Sequence, residues 1–266
     1  MDGKISGIVV NYKTKELTLA AVDSLLREAL VSEVVVVDNA SGDGSVEFLR
    51  SSWPSHKVRI VVSGANTGFG SGVNLAAVET TGSLLLVLNS DAILEPGSLV
   101  PLVSALRSDD RVAIAAPMVV NGEGEAQVDA QGDFPSVRTM LLRTNRRPPD
   151  RLHPDWVSGV AMLVRREAFE AVGGFDPAFH MYLEDVDICR RLRGRGWDVI
   201  RVPQSRVVHR LGESSRSSER EEQYHRSFKL LLAKQGASRV EIEILSAARK
   251  VWGSFRSSQR MLNDSL

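Results

Sequence analysis

One cysteine, Cys189, stands in a chain of 266 residues, which excludes an internal disulfide and a cysteine-based zinc cluster. An excess of either charge is also missing: 33 lysines and arginines balance 33 aspartates and glutamates, arguing against a nucleic-acid partner. No apolar run approaches the ~18 residues needed to span a bilayer. The first residues enter a strand-like run at once, without the charged and apolar regions of a signal peptide, so a cytoplasmic chain is expected. The glycine-rich stretch GANTGFGSGVN (64–74) is not followed by Gly-Lys-Ser/Thr, so it is not a P-loop. It also lacks the first-strand position and the GxGxxG spacing of a dinucleotide fingerprint.

The remaining composition, 43% hydrophobic and 25% charged, is that of an ordinary globular chain with a sizeable core. The length suits one large α/β domain, or one domain plus an appendage. Short apolar, β-branched runs alternate with amphipathic segments through the first half. ISGIVV (5–10) precedes a helical stretch over 16–30, EVVVVD (33–38) precedes 43–51, and VRIVVS (58–63) precedes 70–80. SLLLVLN (83–89), a helix near 97–107 and VAIAAP (112–117) follow. This alternation predicts a mostly parallel sheet covered by helices on both faces. Such sheets bind ligands beyond the carboxyl ends of their strands.

Polar, small and acidic residues gather on that edge. Asn11 and Tyr12 follow the first run, Asp38, Asn39 and SGDGS (41–45) the second, the glycine-rich stretch the third, and NSD (89–91) the fourth. Asp38 suits a nucleoside, since a carboxylate accepts from ring N–H groups or ribose hydroxyls, and it equally suits a turn. Asp91 ends an apolar strand. Mg²⁺ is typically held by one or two protein carboxylates with waters and substrate phosphates, so a lone aspartate there is sufficient, and an Asx turn fits the same spacing. Later, FHMYLEDVDICRRLRGRGW (179–197) places Glu184, Asp185 and Asp187 ahead of a run of arginines. That pattern complements a helix dipole, and the glycines at 194 and 196 can end the helix.

Seven segments in order and spacing make the chain similar to the family-2 glycosyltransferases of GT-A fold, most of all to rhamnosyltransferase-like members acting on lipid-linked bacterial glycans. They are GIVVNYKTKELTLAAVDSLL, VVVVDNASGDGS, NTGFGSGVN, LLLVLNSDAILEPGSL, WVSGVAMLVRREAFEAVGGFD, FHMYLEDVDICRRLRGRGW and VPQSRVVH, covering roughly residues 5–210. The resemblance implies a Rossmann-related α/β domain and a metal-dependent, inverting hexosyltransferase. It implies that Asn11, Tyr12 and Asp38 line the pocket for the donor's base and ribose, with Asn66 and Gly68 completing its wall. NSD stands where the family carries a DxD-type motif, so Asp91 would hold Mg²⁺ or Mn²⁺, with Asn89 replacing the usual first aspartate. LED (183–185) matches the catalytic-base motif, with Asp185 as base and Glu184 as its neighbour in the acceptor pocket. His209 would approach the metal or diphosphate, and Trp156, Ser158 and Gly159 would sit at the acceptor entrance. Trp156 suits sugar stacking and core packing alike. Asp187, about 200° around a helix from Asp185, reads as structural, pairing with Arg190 or Arg191. Cys189 reads as a small buried hydrophobe.

The implied partners are a nucleoside-diphosphate sugar, dTDP-L-rhamnose being favoured, and a saccharide or polyprenyl-pyrophosphate-linked acceptor of cell-wall or other envelope polysaccharide synthesis. Two other classes remain in view: a nucleotidyltransferase acting on sugar phosphates, although NYKTKE lacks that class's glycines, and a non-catalytic nucleotide-sugar or glycan-binding module. Residues 134–155, with five arginines and Met140-Leu141-Leu142, read as a loop or as a membrane-facing acceptor lid. The division expected is a glycosyltransferase domain over 1–210 and a helical extension over 211–266. The extension's basic amphipathic helices suit the inner face of the cell membrane. They suit packing on the main domain or on a second subunit of a homodimer equally well.

Overall fold

The computed structural model describes residues 4–53, 56–127, 130–134, 152–209 and 218–247. In chain order the first half runs β1 (Ile5–Asn11), α1 (Lys15–Leu26), β2 (Val31–Asp38), α2 (Ser45–Ser52), β3 (Val58–Val62), α3 (Phe69–Val78) and β4 (Leu84–Asn89). It continues with β5 (Ala92–Leu94), α4 (Leu99–Ser108), β6 (Val112–Val120), β7 (Gln131–Gly132), β8 (Trp156–Val157) and β9 (Ala161–Arg165). Then come α5 (Arg166–Ala171), α6 (Glu184–Arg193), β10 (Asp198–His209) and α7 (Ser218–Lys234), with a further helix, α8, over 239–247. The predicted elements are present. The helix expected over 16–30 ends at Leu26, and Glu28 turns inward to accept the backbone N–H of Gly97 at 2.9 Å.

Eight strands form one sheet in the order β3-β2-β1-β4-β9-β6-β10-β5. The first four pair in parallel, as does β6 with β10. The sequence pattern did not disclose that β9 inserts antiparallel between β4 and β6, or that the short β5 closes the far edge antiparallel to β10. The sheet is therefore mostly parallel, with a mixed second half.

Alternation along each strand feeds two cores. Leu84, Leu86 and Leu88 enter one and Leu85 and Val87 the other, so both faces of β4 are dry. Close approach fixes α3 on the sheet: a Cβ at Gly72 would lie 2.8 Å from the Val10 side chain. A third cluster joins Phe179, Leu183 and Val186 to Phe228, Leu231, Leu232 and Leu245, which seats α7 and α8 against the start of α6. No helix among the described residues is long and apolar enough to cross a membrane. The acceptor-lid reading of residues 134–155 and the basic residues near the C-terminus fall largely outside the described residues.

Gly72→Val tests the α3 contact. Its branched side chain has to enter space held by a stiff, buried valine, so an overpacking cost of about 1–3 kcal/mol is expected. A lowered melting temperature would record it.

Candidate functional site

The carboxyl ends of β1 and β2 meet in register at Asn11 and Asp38. Asn11 Nδ2 donates to Asp38 Oδ2 at 2.7 Å, and the hydroxyl and backbone N–H of Ser41 donate to the same carboxylate at 2.6 and 3.0 Å. Asp38 thus makes a turn and a cross-strand tie together, and it retains an acceptor site. It lines an open hollow of about 480 Å³ with Ala40, Gly42, Ser45, Val62 and Ser63. Tyr12 stands exposed after β1, with the Lys13 ammonium 5.2 Å from its ring centroid. Asn39, whose role the sequence did not disclose, donates to Asn66 Oδ1 at 3.0 Å and to the Gly68 carbonyl at 3.1 Å. That pair brings the glycine-rich loop to the end of β2. Gly68 adopts φ +90°, and a Cβ there would collide with the His180 carbonyl, to which Phe69 N–H donates at 3.2 Å.

At the end of β4, Asn89 N–H donates to the Val160 carbonyl at 2.9 Å, and Ser90 Oγ accepts from Thr14 at 3.0 Å. Asp91 and His209, 118 positions apart in sequence, meet with Oδ1 and Nε2 3.3 Å apart, because β5 pairs with β10 and puts Ala92 opposite His209. Gln127 reaches His209 twice, its Nε2 to the backbone carbonyl at 3.0 Å and its Oε1 to Nδ1 at 3.1 Å. A carbonyl only accepts, so the amide nitrogen must face it, and Oε1 then requires the proton on Nδ1. In the neutral ring, Nε2 therefore presents a lone pair to a carboxylate oxygen. Two acceptors so placed suit a shared cation. Adjacent octahedral donors at about 2.1 Å from Mg²⁺ lie roughly 3 Å apart, which these residues fit. Among the described residues no third His, Cys, Asp or Glu joins them, which leaves the other positions to water and phosphate. Gln127 carried no local signal, since its contact spans 82 positions.

Asp185 opens α6. Its Oδ2 accepts the Gly159 N–H at 3.0 Å and its Oδ1 the Val186 N–H at 2.8 Å. Removal from water raises the Asp185 pKa above its ordinary value, against those backbone hydrogen bonds. Glu184 is buried, and its Oε2 has no hydrogen-bond partner. Burial, reinforced by the Asp185 charge, pushes its pKa up to about 8. The two residues before them, Tyr182 and Leu183, adopt left-handed φ values of 70° and 67°. The other non-glycine residues with positive φ, among those described, are Lys13 and Ala40, just beyond β1 and β2. Such conformations cost on the order of 1–3 kcal/mol each and gather where a fold serves a site.

The remaining predicted residues are placed as follows. Asp187 accepts from Arg191 Nε at 2.7 Å, the structural pairing expected. Cys189 is buried, and desolvation lifts its thiol to about 12, so it behaves as a hydrophobe. Ser158 Oγ accepts the Val160 N–H at 3.3 Å, beside Gly159. Trp156 is half-buried between the second and third clusters, its indole N–H given to the Asp133 carbonyl at 3.1 Å.

The family model described as Glycosyl transferase family 2 matches residues 6–173, well over half of the chain. An N-acetylglucosaminyl-diphospho-decaprenol L-rhamnosyltransferase of Mycobacterium tuberculosis is 32% identical over 219 residues, 72% of this chain and 70% of that protein. The chain belongs to glycosyltransferase family 2. Residues 149–213 of this family-2 chain also match the model described as N-terminal domain of galactosyltransferase. The rhamnosyltransferase WbbL of Escherichia coli is 27% identical, covering 59% of this chain and 66% of its own. Among solved structures, the mannosyltransferase PcManGT of Pyrobaculum calidifontis, determined with GDP-Man and Mn²⁺, superposes at a TM-score of 0.65 with 20% identity, over 92% of this chain and 68% of that one. TarS of S. aureus (residues 1–349) superposes at 0.62 with 17% identity, over 91% of this chain and 68% of that one. These likenesses show the GT-A fold.

Glu184 ties stability to pH. Its folded pKa is near 8 against an ordinary 4.5, so between those values the folded chain holds a proton that the unfolded chain has released. The stability it contributes is complete below the lower value and is lost as pH rises through the upper one. Glu184→Gln, neutral throughout, should raise the melting temperature relative to the parent at pH 8 and change it less at pH 5. For the paired amide, were His209 to hold Mn²⁺, Gln127→Ala should weaken that binding about 10- to 100-fold, the scale for losing the partner that orients such a histidine. Titration calorimetry with Mn²⁺ and a nucleoside diphosphate checks this.

Proposed function

We propose that this family-2 glycosyltransferase transfers a hexose, L-rhamnose being favoured, with inversion from a nucleoside-diphosphate donor to a saccharide or polyprenyl-diphosphate-linked saccharide in envelope polysaccharide synthesis. The observation that carries the reading is one backbone link. Val160 receives Asn89 of the NSD segment while the adjacent Gly159 holds Asp185 of the LED segment. The two carboxylate motifs are thereby held to one strand end. The printed names of the mycobacterial and E. coli relatives support rhamnose, and that of the mycobacterial protein a polyprenyl-diphosphate acceptor. Family membership displaces the nucleotidyltransferase reading.

In this mechanism the hollow beside Asp38 takes the base and ribose, with Asn11, Tyr12, Asn66 and Gly68 as its surroundings. Asp91 and His209 would hold Mg²⁺ or Mn²⁺, which when bound supplies charge stabilisation for the leaving diphosphate. Asp185 accepts the proton of the acceptor hydroxyl on the face opposite the departing nucleotide. Its raised pKa makes it a stronger base for that proton than an exposed aspartate. Glu184, protonated below about pH 8, adds no second charge at the acceptor. Gly159, Ser158 and Trp156 border the acceptor entrance. Peripheral contact with the membrane bearing a lipid-linked acceptor is the role proposed for α8, where Val240 and Ile244 are exposed four residues apart on one face.

A thermal-shift series with UDP, dTDP and GDP, each with Mg²⁺ or Mn²⁺, tests the donor. The largest stabilisation is expected from dTDP, and stabilisation by GDP alone would overturn the choice. Asp185→Asn should retain nucleotide binding while transfer falls ~10²-fold or more, the scale of a lost general base. Asp91→Ala should lose metal-dependent nucleotide binding, and undiminished turnover in EDTA would refute its role. Nucleotide binding with no transfer or donor hydrolysis by the parent chain would instead indicate a non-catalytic module.

A further inference from the structure

Helix α7 lies beyond both family-matched segments, which end at residues 173 and 213. Its inner face nevertheless meets the turn that delivers Asp185. Ser227, itself buried, donates its hydroxyl to the Met181 carbonyl at 2.7 Å. The Tyr224 ring lies 5.7 Å from that of Tyr182. Phe228, Leu231 and Leu232 enclose Phe179, Leu183 and Val186 in one cluster. At the helix's far end, Lys234 pairs with Asp176 at 2.5 Å, ahead of the same turn.

The turn needs such support. Tyr182 and Leu183 are both left-handed without being glycine, and consecutive residues of that kind persist only where their surroundings over-determine them. Leu183 also begins α6, its carbonyl accepting the Asp187 N–H at 3.0 Å, so any relaxation at 182–183 re-aims the first turn that carries Glu184 and Asp185. Leu183 has no side-chain capping bond to offer in place of a polar cap. What holds it is its apolar side chain in the cluster with α7. From the other side, His180 is pinned through its carbonyl to Phe69. The turn is therefore gripped between the glycine-rich loop and α7.

We propose that α7 sets the position of the catalytic carboxylate, with Ser227 and Phe228 as positioning residues that act through the 181–183 turn. The inference rests on the reading of Asp185 as base. It assigns the helical extension a part in catalysis that neither substrate need touch.

The test is a double-mutant comparison on the full-length chain. Ser227→Ala and Phe228→Ala are each combined with Asp185→Asn, and the transfer rate, donor KM and nucleotide affinity are measured well below the melting temperature. Ser227→Ala should lower kcat about 10- to 100-fold, as expected for a small displacement of a reacting group, with donor KM and nucleotide affinity unchanged. Phe228→Ala should do the same, and Phe228→Leu should restore most of the rate. In the Asp185→Asn background Ser227→Ala should cost nothing more, because the group it positions is already gone. An equal loss in both backgrounds would overturn the inference, as would a Ser227→Ala enzyme with full kcat beside an inactive Asp185→Asn. Full activity of Asp185→Asn would remove the base assignment and this inference together. Should Phe228→Ala not fold, Ser227→Ala decides alone.

Discussion

Hydrogen bonds from the backbones of two neighbouring residues hold the site together: the Val160 carbonyl accepts from Asn89 N–H, and Gly159 N–H donates to the Asp185 carboxylate. The first fixes the end of β4, where the NSD segment begins. The second fixes the start of α6. Because β9 is wedged antiparallel between β4 and β6, its entry point cannot move without breaking sheet pairing on both sides. The NSD and LED segments thus borrow their rigidity from the centre of the sheet. The close approach of the residue 68 backbone to His180 adds a third fastening, which joins the glycine-rich loop to the LED segment.

The electrostatics follow from this enclosure. A carboxylate held against backbone N–H groups would ordinarily become more acidic, yet removal from water outweighs those bonds at Asp185. Glu184 alongside is pushed up to about 8. Two adjacent carboxyl groups, both withdrawn from water, therefore hold their protons to higher pH than exposed ones do. The strained residues just before them and the orphaned Glu184 oxygen show where the fold gives up stability to keep that arrangement.

Much of the fold was legible because its signals are local. Short, uniformly apolar, β-branched runs identified the strands of the parallel half, and the rule that ligands gather at strand ends singled out Asn11, Asp38, Asn89 and Asp91. The arginine run after Asp187 gave a helix with a dipole-matched first and last turn, and the expected pairing of Asp187 fell to Arg191. Other features rest on contacts between distant segments. Asn39 reads as one more polar turn residue until it bridges to Asn66, and Gln127 as a surface amide until β10 brings His209 to it.

By itself the sequence determined the alternation of elements, the chemical types at each strand end and the family to which the chain belongs, since these depend on residue identity and short spacing. Only the tertiary structure decided that β9 runs antiparallel through the sheet and that Asp91 faces a histidine whose tautomer Gln127 sets. It alone decided that α7 grips the turn ahead of Asp185. Strand pairing and helix docking are chosen by the free energy of burying whole faces against one another, a quantity that no local window of sequence contains.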